Sequence, residues 1–131
     1  MAISKKVREE VYNKFNGLCA YTGKPLDDKW QVDHGRSKLN CLYYNEVENM
    51  NNISNYFPAI RIINHYKREK TIDSFREYMK TFHIRLSKLP KTTSVESTKR
   101  RILYMNTVAQ LFDITVDKPF SGIFYFETLN N

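Results

Sequence analysis

Four chain breakers, Gly17, Pro25, Pro58 and Pro90, punctuate the apolar patterns of this chain and decide which pieces are helix, turn or strand. Ser4 suits the N-cap of a helix over about 5 to 16, with Val7, Val11 and Phe15 at four-residue spacing and Gly17 as its stop. CAYTGKP, residues 19 to 25, reads as a tight turn, and a short strand follows around Trp30 to Asp33. Residues 35 to 54 read as a long, Asn-rich loop carrying Leu42, Tyr43 and Tyr44. Pro58 suits the start of a helix over about 59 to 69. Thr71 can cap the next helix, whose apolar residues Phe75, Met79, Phe82, Leu86 and Leu89 step by three and four up to Pro90. Ser94 can cap a further helix to about Phe112, with Ile102, Met105, Val108 and Phe112 as its inner stripe, and IFYFE near the C-terminus reads as a short strand.

This mixture predicts an α+β protein. Its 131 residues suit one ordinary domain, large enough to bury a core without disulfides or metal staples. Cys19 and Cys41 lie 22 residues apart with no CxxC partner, so free thiols in a reducing cytoplasm are expected. The N-terminal MAISKKVREEVYNKF has no apolar core of a signal peptide, and no apolar run reaches the roughly 18 residues of a spanning helix. The expectation is a cytoplasmic protein with no membrane partner.

The net charge of +7 is unevenly distributed. Residues 65 to 101 hold eleven Lys or Arg against four acids, whereas the rest of the chain balances ten against ten. Such concentration points to a phosphate-facing surface, the alternative being helices that carry solvated charge.

Asp33-His34 ends the first expected strand, Asn55 follows 21 residues after His34, and Asn64 nine residues later in NISNYFPAIRIINHYK. In this order the residues resemble the HNH (His-Me finger, ββα-metal) endonuclease family. NISNYFPAIRIINHYK is similar to the family's N-L-x-P-A-C-x-x-C-N-x-x-K segment, and VREEVYNKFNGLCAYTGKPL is similar to its lead-in helix and cysteine turn. The resemblance covers about residues 4 to 80, and weakly the FYFE end. It implies a ββα-metal core with an N-terminal helix, followed by a helical C-terminal extension over about 81 to 131 and a short strand. The chain departs from the family at the cysteines. Of the positions of two CxxC pairs only Cys19 keeps its sulfur, with Thr22, Ile60 and Ile63 at the other three. A structural zinc is therefore not expected, and apolar packing of Ile60 and Ile63 against the first helix and the Tyr21 turn is expected to take its place.

The resemblance implies metal-dependent hydrolysis of DNA phosphodiester bonds. His34 would be the general base that takes a proton from water, and Asn55 would orient its imidazole. Asp33 and Asn64 would supply oxygen ligands to one divalent cation, and such hard ligands suit Mg²⁺ or Mn²⁺. Arg36, Lys38, Arg61, His65, Lys67 and Arg68 are the expected phosphate contacts. Neighbours on a strand point to opposite faces, so Asp33 and His34 share one site only where the strand ends or bulges. His83, among Arg76, Lys80 and Arg85, reads as part of a solvated helix face, and Cys41 as a buried or loop thiol. Two rival readings remain: a nucleic-acid-binding module of the same fold without cleavage, and a protein-interaction domain using Leu42 to Tyr44. A homodimer is compatible with the sequence and not required by it.

Overall fold

A computed structural model describes residues 3–35 and 52–129. Over these the chain is a small α+β protein with an N-terminal helix, a two-stranded antiparallel sheet and several C-terminal helices. No described helix is long and apolar enough to cross a membrane. The chain divides into two compact units, Met1–Phe75 with Phe124–Asn131, and Arg76–Ile123.

In the first unit, α1 (Lys5–Lys14) starts where the Ser4 hydroxyl accepts the Val7 N–H at 3.2 Å, as its sequence predicts. Gly17 stops it with φ +79°, and its N–H returns to the Tyr12 carbonyl at 3.0 Å. That positive φ is what the position requires glycine for. The chain then enters the Cys19 turn, closed by the Cys19 N–H on Lys24 O at 2.8 Å and the Gly23 N–H on Cys19 O at 2.9 Å.

β1 (Gln31–His34) pairs antiparallel with β2 (Tyr56–Ala59), Val32 facing Pro58 and His34 facing Tyr56. Pro58 is thus a strand residue and not a helix start. It lacks an N–H, but it lies at a ladder position whose polar groups point away from β1, and its carbonyl accepts the Ala20 N–H at 2.8 Å. On one side of the sheet Val11, Trp30 and Tyr56 are buried together, with Ile3, Val7, Leu26 and Val32 packed around them. β2 runs through Ile60 into α2 (Arg61–Lys67). Ile60 and Ile63 are both buried, as are Cys19 and Tyr21.

The IFYFE segment differs from its expected strand. It forms a 3-10 turn over Tyr125–Leu129. The consecutive N–H groups of Tyr125 and Phe126 donate to Tyr21 O and Ala20 O, at 3.1 and 2.8 Å. Successive amides of a strand point in opposite directions, so this two-amide clasp on one turn is incompatible with β structure. Phe124 and Phe126 meet the Tyr21 ring edge-on, and Phe124 stacks on Phe75 at 5.4 Å.

The single helix expected over Thr71 to Leu89 is two, α3 (Ile72–Lys80) and α4 (Phe82–Ser87). Thr71 caps α3 as expected, accepting the Ser74 N–H at 3.1 Å. The break lies at Thr81 (φ −104°, ψ 5°), within the second unit. There the Tyr78 carbonyl accepts the Thr81 hydroxyl at 3.1 Å and the Arg85 guanidinium at 2.7 Å, so side chains take the acceptor that a continuous helix would give to Phe82. Phe75, Met79 and Phe82 are fully buried despite the break, because the apolar spacing survives it. His83, expected on a solvated face, is half-buried with Nδ1 shielded from solvent. α5 (Glu96–Leu111) begins two residues after Ser94. Its N-cap is Val95, whose N–H goes to the Thr93 hydroxyl at 3.1 Å. Met105 and Val108 of the expected stripe are buried, joined by Ala109.

If Ile63 fills the place of a zinc ligand, Ile63→Asp puts an unpaired carboxylate in the core and should lower unfolding free energy by about 3–5 kcal/mol. Urea titration checks this, and an unchanged midpoint would remove Ile63 from the core.

Candidate functional site

The Asp33-His34 pair lies at the end of β1, where pairing stays regular through His34 and Tyr56. No bulge intervenes, so alternation sends the two side chains to opposite faces. The His34 ring meets the edge of Tyr56, its cross-strand partner, with centroids 5.1 Å apart and planes at 80°. Its Nε2 is shielded from solvent. Asp33 instead turns toward the Cys19 turn and α2. The strand ends without bringing imidazole and carboxylate into one pocket.

Asp33 is 5 % exposed and Lys67 is 0 % exposed, and the two form an ion pair with Lys67 Nζ 3.0 Å from Asp33 Oδ2. The Tyr21 hydroxyl donates to the same oxygen. Lys67 Nζ also donates to the His34 carbonyl at 3.1 Å. Burial, and then the neighbouring Asp33 charge, push the Tyr21 hydroxyl well above its usual range, so it remains a proton donor. Burial pushes the Asp33 carboxyl up as well, opposed in turn by the Lys67 charge and the Tyr21 hydrogen bond.

One helical turn before Lys67, Asn64 Nδ2 donates to Gln31 Oε1 at 2.8 Å. Two parallel contacts therefore join β1 to α2, Gln31 to Asn64 and Asp33 to Lys67. Both members of the expected metal pair, Asp33 and Asn64, are engaged by other side chains in this arrangement. Asp33 already takes an ammonium and a phenol on Oδ2, and Asn64 uses its amide Nδ2 on Gln31. The donor types suit a hard cation, but the arrangement does not fit one, because a cation on Asp33 would have to displace the Lys67 ammonium. Among the described residues no group of three or more His, Cys, Asp or Glu side chains gathers as a metal site.

Asn55 ends a 3-10 turn (Ile53–Asn55), and its carbonyl accepts the Gly35 N–H at 2.8 Å, fixing the backbone immediately after His34. Gly35 is required here by close approach. A Cβ would lie 2.5 Å from the Phe57 ring. Lys14 reaches the other edge of β2, its Nζ 2.8 Å from the Tyr56 carbonyl and 4.6 Å from the Phe57 ring centre, and burial lowers its pKa.

Arg61, His65 and Arg68 are exposed on α2 or at its end. Lys67 is a correction to the expected phosphate contacts. It lies on the inner stripe of the helix with Ile63 and Asn64, and its charge is committed to Asp33. Arg36 and Lys38 lie outside the described residues. Tyr21, Gln31 and Lys14 were not expected from the sequence. Tyr21 had a signal, being the one large aromatic inside a turn expected to pack as a small core, whereas nothing in the spacing pairs Gln31 with Asn64.

Comparison with family models, with curated proteins and with solved structures gives no match to this chain.

Folding raises the proton affinity of the Asp33 carboxyl. Its contribution to stability is then full below the ordinary carboxylate value and is lost as pH rises through the raised value. Carbon-13 titration of this carboxyl should give a midpoint above the ordinary range. A midpoint below it would mean that Lys67 and Tyr21 outweigh burial.

Proposed function

We propose that the chain is a DNA endonuclease of the HNH type, with His34 as the base that activates water against a phosphodiester. What carries this reading is the order of elements around the site. β1 ends in Asp33-His34, Asn55 holds Gly35 through its carbonyl, and β2 leads through Ile60 into the helix that bears Asn64. This succession of strand, strand and helix is the one the motif resemblance implies. The exposed Arg61, His65 and Arg68 lie on the same helix, and the basic stretch from 65 to 101 begins there.

In the reaction the water O–H breaks and its proton passes to an imidazole nitrogen of His34. The oxygen bonds to phosphorus, and the bond from phosphorus to the 3′ oxygen breaks, the leaving oxygen taking a proton from solvent. A neutral imidazole is suited to the first transfer near neutral pH. Asn55 and the Tyr56 ring hold the strand end and the imidazole. Arg61 and Arg68 bind phosphates on either side. A divalent cation of the Mg²⁺ or Mn²⁺ class would neutralise charge on the phosphate when bound. Because Asp33 and Asn64 do not fit it as arranged, no step is routed through it.

A second reading, a DNA-binding module of this fold that does not cut, draws on the same ion pair, since Lys67 takes the carboxylate that the resemblance assigns to a cation. Incubation of supercoiled plasmid with Mg²⁺ or Mn²⁺, with and without EDTA, separates the two. The nuclease nicks or linearises it and is stopped by EDTA, whereas the binding module leaves it supercoiled.

His34→Ala should lower single-turnover cutting by roughly 10² to 10⁴ while DNA affinity stays near wild type. Normal cutting by this variant would make His34 structural. Arg61→Ala with Arg68→Ala should act on binding instead, weakening it on all sequences and flattening its salt dependence by about one unit of slope for each phosphate that is no longer neutralised. A gel-shift series over salt concentration reads that slope.

A further inference from the structure

Asp33 and Lys67 are the buried charged residues of the described chain. A fully buried lysine reaches no phosphate, and a buried ion pair generally stabilises little compared with apolar side chains of the same size. Its geometry says more. The Lys67 ammonium contacts Asp33 Oδ2 at 3.0 Å and the His34 carbonyl at 3.1 Å. The His34 carbonyl is thereby held by the cation that its neighbour Asp33 holds in place. Tyr21 holds the carboxylate from the Cys19 turn, and the Asn55 carbonyl takes the next amide, that of Gly35. The backbone is gripped on one face, and the imidazole projects from the other against Tyr56.

We infer that Lys67 is a positioning residue for His34, with Asp33 serving as the anion that holds Lys67 and not as a ligand for a cation. As a role in catalysis this rests on the nuclease reading; as a statement about what fixes His34 it does not. The grip explains why a charge is kept inside the sheet-helix contact. An apolar residue at position 67 would fill the same space but would have no donor for the His34 carbonyl, whose direction sets that of the imidazole.

The test uses Lys67→Met, which keeps length and removes the ammonium, and Lys67→Arg, which keeps the charge and the donors. Because Lys67→Met leaves Asp33 buried alone, the double variant Asp33→Asn with Lys67→Met is measured beside it and decides the matter if the single variant does not fold. Single-turnover DNA cutting, DNA affinity and the nuclear Overhauser contacts between the His34 and Tyr56 rings are read for each.

The expected result is a loss of cutting of about 10²-fold, the order expected of a small misplacement of a reacting group. DNA affinity is unchanged, the His34–Tyr56 contacts weaken, and Lys67→Arg recovers both cutting and contacts. Mn²⁺ added to the wild type should broaden other resonances before the Asp33 carboxyl. The proposal is overturned if the folded double variant cuts at the wild-type rate with the ring contacts intact, or if Mn²⁺ broadening centres on Asp33. Wild-type protein that cuts no DNA under any divalent cation would end the nuclease reading, and the ring contacts in the variants would still decide the positioning role.

Discussion

The ion pair between Asp33 and Lys67 ties the sheet to the helix that follows it, and most of the first unit is arranged to make it tolerable. A carboxylate and an ammonium removed from water are costly unless each finds several partners. Asp33 has two, from the Cys19 turn and from α2; Lys67 has the carboxylate and the His34 carbonyl. Those contacts need the turn, the strand end and the last residue of α2 in one register. That register is set by apolar burial at Ile60 and Ile63 and by the aromatic edges around Tyr21. The polar network specifies position, and the apolar residues supply the driving force that holds it closed.

The same contacts sort α2 into two sides with different work. Ile63, Asn64 and Lys67 form the inner stripe, and Arg61 and His65 the outer one, with Arg68 exposed at the helix end. In the sequence Arg61, His65, Lys67 and Arg68 read alike as expected phosphate contacts, because a run of seven residues brings every face of a helix within a few positions. Burial separates them. A lysine at the C-terminus of a short helix is also well placed electrostatically, since the last carbonyls favour a cation there.

Much of the architecture was legible because it depends on local rules. Ser4, Gly17 and Thr71 act as the caps and stops that their chemistry predicts, and β1 lies within a residue of its expected span. The failures share a cause. Pro58 suits a helix start because its missing N–H is harmless there, but it is equally harmless on a strand position whose polar groups face away from the ladder. The break at Thr81 depends on Arg85 reaching the Tyr78 carbonyl, and the 3-10 tail depends on the Cys19 turn, partners that apolar periodicity does not reveal. At the candidate site, His34, Asn55 and Asn64 were legible as a motif. The partners that fix Asp33 were not, because Tyr21 and Lys67 are brought to it by folding from 12 residues before and 34 residues after.

The sheet therefore presents its adjacent acid and histidine to different surroundings, and this bears on how such a motif works. On this chain the acid's face is dry, charged and crowded, and the histidine's face is bounded by an aromatic edge. Under the nuclease reading proposed above, His34 would have to be held at a fixed angle while its own nitrogen exchanges a proton. The Lys67 contact to the His34 carbonyl would hold the peptide beside the imidazole from outside the ring. The neighbouring acid then acts through the main chain, by deciding where the strand ends and which way its last side chain faces.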